Sequence, residues 1–192
     1  QGGSTINDGT ANQSAAIAAH ALQTEVAYNL PFYKDKFKPM VSLQYAFASG
    51  DADRSDGTNA AQVNAKGSDT GFYYFGMFSG GLALKPRLQN IHVARLGVAG
   101  RPLGNFYAFR NLMLSLKYAL YRKAIAEGKI PDSNATEKNT DIGQGFDATL
   151  IYDFRSDLKF YYGFGLFQRG DAYKVGERDL IQVHLLSVTI NF

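Results

Sequence analysis

Apolar and polar residues alternate singly along much of the chain. In the last segment Leu186, Val188, Ile190 and Phe192 alternate with Ser187, Thr189 and Asn191. Upstream, Leu158, Phe160, Tyr162, Phe164 and Leu166 alternate with Lys159, Tyr161, Gly163, Gly165 and Phe167. The same period holds over Phe146–Phe154 and Leu112–Tyr121. A strand turns successive side chains to opposite faces, so each segment reads as a strand with one apolar face. Seven strands are predicted, near residues 17–29, 38–50, 90–102, 111–123, 143–155, 157–169 and 179–192. A soluble antiparallel sheet alternates too, which makes a sandwich the ordinary alternative. Strand length favours a membrane: about 10–13 residues is close to the span of a tilted transmembrane strand and longer than most globular strands. The polar faces carry charges and glycines at mid-strand, and the apolar faces carry aromatics near their ends, as membrane-interface girdles do. The pattern therefore predicts an all-β fold, a transmembrane antiparallel β-barrel.

The connections alternate in length. Residues 51–89 and 124–142 are long, 170–178 intermediate, and Asn29–Phe37, Leu103–Arg110 and Phe154–Asp157 short. In such barrels long loops are extracellular and short turns periplasmic. The last strand then descends, and so does the first, leaving residues 1–16 as an extracellular lead. Seven strands starting outside do not close on themselves, and open edges in lipid are costly. The expectation is one segment, 1–192, forming the C-terminal portion of a larger even-stranded barrel. The missing upstream strands would come from the same precursor, or from a separate chain. A competing count makes Gly71–Leu84 an eighth strand and the chain a complete small barrel. That count needs a long periplasmic segment, and the consecutive Phe72, Tyr73, Tyr74 and Phe75 alternate poorly.

Composition narrows function. Twenty Lys and Arg against 17 Asp and Glu give a net charge of +3, too mild to indicate a nucleic-acid partner. The absence of cysteine removes disulfides, thiolate metal sites and thiol nucleophiles. There is no Trp, but Tyr28, Tyr45, Tyr118, Tyr152 and Tyr162 can serve a girdle, each with an apolar ring and a polar tip. Gln1–Ser14 has neither a basic nor an apolar leader region, so any export signal is expected to lie upstream.

Two stretches carry a family likeness. One is Tyr45-Ala46-Phe47-Ala48-Ser49-Gly50-Asp51-Ala52-Asp53 followed by Gly71-Phe72-Tyr73-Tyr74-Phe75-Gly76. The other is Leu88-Gln89-Asn90-Ile91-His92-Val93-Ala94-Arg95-Leu96-Gly97-Val98. With Gly170-Asp171 and the terminal Phe192, they resemble the C-terminal half of alginate-export-type outer-membrane porins. The resemblance implies a bacterial outer-membrane barrel with more strands than 192 residues can build. It does not fix the solute.

The inward register holds Glu25, Arg95, Arg101, Lys117, Lys123, Asp147, Asp153, Lys159 and Arg169 as pore-lining candidates, with Gln44 beside them. Six cations against three carboxylates favour anions, unless the charges simply pair with one another. Tyr121, Tyr161 and Phe167 are candidates for an aromatic lumen surface. Inward Gly97, Gly163 and Gly165 are better read as relieving crowding. The loop 51–89 is polar first and aromatic later, so it either enters the pore or packs on the rim or a partner. Asp51, Asp53 and Asp56 are a weak calcium candidate, because Asp56 and Gln62 stand where a calcium loop wants Gly and Glu. No cofactor is expected.

Ser115 is expected inward while His92 and His184 face outward, and His184 and Ser187 fall on opposite faces, so no nucleophile meets a base. The chain reads as a non-enzymatic porin or channel for passive passage of small or polymeric anionic solutes. Its surroundings would be outer-membrane lipid and lipopolysaccharide. The alternative is a structural barrel that houses another chain.

Overall fold

The computed structural model describes residues 2–4, 16–33, 35–54, 67–74, 76 and 78–191. Phe192 and Asp56 lie outside them.

Seven strands form one antiparallel sheet in chain order: β3 (Ala21–Asn29), β4 (Met40–Ala48), β5 (Ile91–Gly100), β6 (Leu112–Arg122), β7 (Asp141–Asp153), β8 (Leu158–Arg169) and β9 (Leu180–Ile190). Each expected strand is present, with ends displaced by a few residues; most are shorter, and β7 begins two residues earlier than expected. A separate antiparallel pair joins β1 (Gly2–Ser4) to β2 (Ala16–Ala18). The first expected strand, 17–29, is thus two pieces. The break has a local cause: the Asp69 carbonyl accepts from Ala18 N–H and Asp69 N–H donates to the Ala16 carbonyl, drawing β2 towards the 67–71 segment. After the break, Ser49 N–H donates to the His20 carbonyl and the main sheet begins.

β4 pairs directly with β5, from Met40↔Ala99 to Ala48↔Ile91. The described residues of 71–84 form no strand. An eighth strand between β4 and β5 is therefore corrected: four aromatics in a row offer no single face to a sheet, and the segment lies on the sheet instead. Among the described residues the sheet is open, with β3 and β9 as its edges.

One face of the sheet is apolar and bare. Leu43, Leu96 and Leu186 on it are 58, 59 and 78% exposed, with Val26, Val98, Tyr118, Tyr162 and Val188 also open. In water, burying such side chains is the main drive to fold, and a sandwich would cover them with a second layer. Here no described residue does so. A contiguous apolar face of this size belongs against lipid.

The opposite face carries the core, gathered at the end bearing the long connections 49–90 and 123–140 and the intermediate 170–179. Val93, Tyr121, Ile142 and Phe167 of the sheet region pack there with Leu88, Ile130, Ala135, Ala172 and Tyr173 of the loops. Asn90 is the hub. It is buried, its φ of 47° suits asparagine better than most side chains, and its amide bonds both ways with Ile125, at 3.0 and 2.8 Å. Tyr173 donates to Asp132 at 2.8 Å and ties the two later loops together. At the other end Phe154 and Leu158 close the shortest connection, 154–157, by backbone bonds.

A charge at the centre of the bare face should be expensive. Leu96→Lys is expected to cost about 2 kcal/mol or more in denaturant-titrated refolding into lipid vesicles. Wild-type stability in that variant would contradict a lipid-facing position.

Candidate functional site

The site arises where the first long connection, between β4 and β5, turns back onto the polar face of β4–β8. Pairing in register sets that face: Gln44 lies opposite Arg95, Arg95 opposite Ala119, Lys117 opposite Asp147, and Asp147 opposite Gly165. Over this row lies the 78–84 segment, held at three points. Arg95 Nη1 donates to the Ser79 carbonyl at 2.7 Å, Tyr121 Oη donates to the Gly80 carbonyl at 2.7 Å, and Leu82 N–H donates to Asp147 Oδ1 at 3.1 Å. Of the two destinations open to this loop, the inner sheet face is the one it takes.

The glycines of β8 make this approach possible. A Cβ on Gly165 would stand 2.8 Å from Leu82 Cβ, and one on Gly163 would stand 2.9 Å from Tyr161 Oη. The wall is thinned where the loop rests.

Charge is arranged diagonally. Asp147 faces Lys117 across the β6–β7 ladder, but its Oδ2 is taken at 2.9 Å by Arg95 Nη2 from two strands away. Both partners are buried. Arg95 Nη1 also donates to Gln44 Oε1 at 3.2 Å, while Arg95 Nε has no hydrogen-bond partner. Burying an ion pair is repaid only when further hydrogen bonds complete it, and the loop carbonyl and amide supply them. Lys117 is left without an ion pair or hydrogen bond among the described residues. Beside it opens a cavity of about 300 Å³, bordered by Leu82, Met113, Ser115, Thr149 and Tyr161.

The remaining candidates scatter. Lys123 is buried at the loop end of β6, and its Nζ donates to the carbonyls of Ala126, Ala135 and Glu137, fastening the 123–140 loop. Arg169 caps the Glu177 carbonyl at 2.9 Å and lies over the Tyr173 ring. Lys159 and Asp153 pair at 3.4 Å near the short-turn end, half exposed. Arg101 follows β5 at that same end, and Glu25 projects from edge strand β3. Tyr121 and Phe167 are 2 and 1% exposed and stack edge-on under the loops; Tyr161 borders the cavity.

Asp51 serves the backbone: its carboxylate accepts from the N–H groups of Asp53 and Thr70, at 3.1 and 2.8 Å. Burial raises its pKa, but a side-chain hydrogen bond with Asp53, together with those backbone bonds and the Thr70 hydroxyl, outweighs burial and holds it below the usual 3.8. Asp53 is exposed, and no cluster of three metal-ligating side chains occurs among the described residues. His92 and His184 sit on the bare face, each bonded through Nδ1 to a tyrosine, Tyr45 at 2.8 Å and Tyr162 at 2.9 Å. Ser115 is on the other face.

The sequence model of the alginate export family matches residues 3–180. No curated protein matches the chain.

Removing Arg95 leaves Asp147 buried without its cation. Arg95→Met is expected to destabilise the fold by about 3 kcal/mol and to open 78–86 to protease, with Arg95→Met/Asp147→Leu recovering much of the stability. An unchanged cleavage pattern would contradict the clamp. For Asp51, a depressed carboxyl pKa means stabilisation that is full above 3.8 and lost as pH falls below it. Exchange protection of the Thr70 amide should hold at about pH 5 and weaken in stronger acid; loss already near neutrality would contradict it.

Proposed function

Because the chain belongs to the alginate export family, a family of outer-membrane β-barrel transport proteins of Gram-negative bacteria, we propose that it forms the wall and constriction of a passive channel for small or polymeric anionic solutes. The long-loop end, with residues 1–16, 51–89 and 124–142, faces outward, and residues 1–192 act as one barrel segment. The open edges β3 and β9 pair with further strands of the same barrel, because an unpaired edge in lipid costs several kcal/mol per orphaned group. The family transports rather than catalyses.

The observation that carries the anionic preference is the capture of Asp147 by Arg95. It neutralises one cation and the carboxylate together, and leaves Lys117 as the uncompensated charge beside the cavity. A positive point charge in a narrow, partly dehydrated passage favours anions. Ser115 and Thr149 offer hydroxyls, and Tyr161 offers a ring to a passing sugar. The inserted 78–84 segment sets the width.

Planar-bilayer recording tests this directly. Wild-type protein is expected to conduct stably with anion preference, Lys117→Glu to move the reversal potential towards cations, and deletion of 78–84 to raise conductance. Stable cation preference unaffected by Lys117→Glu would remove the anionic reading. Absence of conductance after reconstitution would instead favour a scaffold barrel occupied by another chain.

A further inference from the structure

On the bare face, at the loop end of β6–β8, the apolar surface gives way to a polar cleft of about 400 Å³. Leu120, Arg122, Gln144 and Gln168 line it from the strands, and Arg169 and Arg178 from the rim. Arg122 is exposed and makes no ion pair or hydrogen bond among the described residues. Its cross-strand neighbours are His92 on β5 and Asp141 on β7. The Asp141 carboxylate does not pair with it; it lies against the backbone of Gly170, where a Cβ would stand 2.6 Å from Oδ2. A bulge at Tyr121 and Arg122 shifts the ladder between these residues.

An arginine with no protein partner on the lipid side of a barrel demands an anion from the membrane. A long cationic side chain reaches from an apolar wall to the headgroup level, and a planar guanidinium recognises phosphate in bidentate fashion. The cleft suits a phosphate. Its three guanidiniums exceed its two carboxylates, and one of those, Asp171, is already paired with Arg178 at 2.7 Å. The amides favour a sugar beside that phosphate. Gln144 uses its oxygen to accept from Tyr118, and Gln168 uses its nitrogen to donate to the Arg178 carbonyl. One amide nitrogen and one amide oxygen therefore remain for hydroxyl groups, above the apolar Leu120.

We propose that this cleft is a specific site for a phosphorylated lipid A headgroup of the outer leaflet, with Arg122 as its principal phosphate ligand. The assignment to that leaflet rests on the outward orientation of the long-loop end proposed above. The site is separate from the pore, because Arg122 and Lys117 lie on opposite faces of β6.

The test uses purified protein in detergent, where neither orientation nor transport enters. Retention of bisphosphorylated lipid A, its dephosphorylated form and phosphatidylglycerol is measured by native mass spectrometry. Wild-type protein is expected to hold bisphosphorylated lipid A selectively. Arg122→Gln should weaken it on the order of tenfold, the loss that follows removal of a charge-assisted hydrogen bond, and Arg122→Lys should keep most of it. Heat-modifiable migration and bilayer conductance of Arg122→Gln should match wild type, showing an intact barrel and an unaltered pore. Equal retention of the dephosphorylated lipid or of phosphatidylglycerol, or wild-type binding by Arg122→Gln, would overturn the proposal and leave the channel reading standing.

Discussion

Lipid contact on one face of a single sheet is the constraint from which the rest follows. A sheet that spends its apolar side on the membrane has no second layer to pack against, and its other side must be finished by the chain itself. That is what the long connections do. They fold over the loop end of the polar face, where Tyr121, Phe167 and Tyr173 meet Leu88, Ile130 and Ala172 in a small enclosed core. Further along the same face the 78–84 segment is fastened by hydrogen bonds to Arg95, Tyr121 and Asp147, and Phe78, Ala83 and Leu84 pack against that core. The result is a wall with a fixed obstruction on it.

The electrostatics follow the same economy. Directly opposed charges, Lys117 and Asp147, do not pair; the longer guanidinium of Arg95 reaches Asp147 diagonally and brings Gln44 and Ser79 with it. A planar group with five donors can satisfy a carboxylate, an amide and a carbonyl together, which a lysine ammonium at position 117 is not placed to do. One buried, hydrogen-bonded pair thus fastens the 78–84 segment and leaves Lys117 without a carboxylate partner among the described residues. A buried ion pair of this kind is weak support for stability but gives a definite geometry to the loop that rests on it.

Strands and their faces were legible because a period of two survives even where residue types vary. Leu96, Gly97 and Val98 already announce out, in and out. The landing place of 71–89 was not legible, because Phe72–Phe75 carry no period and the partner groups, Arg95, Tyr121 and Asp147, lie far away in sequence. Parity alone placed Lys123 inward but not in a pore: past the end of β6, loop carbonyls are closer than any lumen and take its ammonium. Tyr121 and Phe167 likewise have inward parity, yet sit where the loops cover the sheet. Asn90 is a residue that sequence reading passed over; an asparagine just before a strand, tolerant of a left-handed backbone, was the available signal.

The central claim is that the even-numbered side chains of β6 face hydrocarbon and the odd-numbered ones face an aqueous interior. The protein contains no cysteine, so single cysteines placed in turn from 113 to 118 report accessibility without background. In lipid bilayers, a membrane-impermeant maleimide is expected to label positions 113, 115 and 117 and to spare 114, 116 and 118, with nitroxides at the spared sites showing strong contact with dissolved oxygen. Equal labelling of both sets, or labelling of the even set alone, would contradict the account.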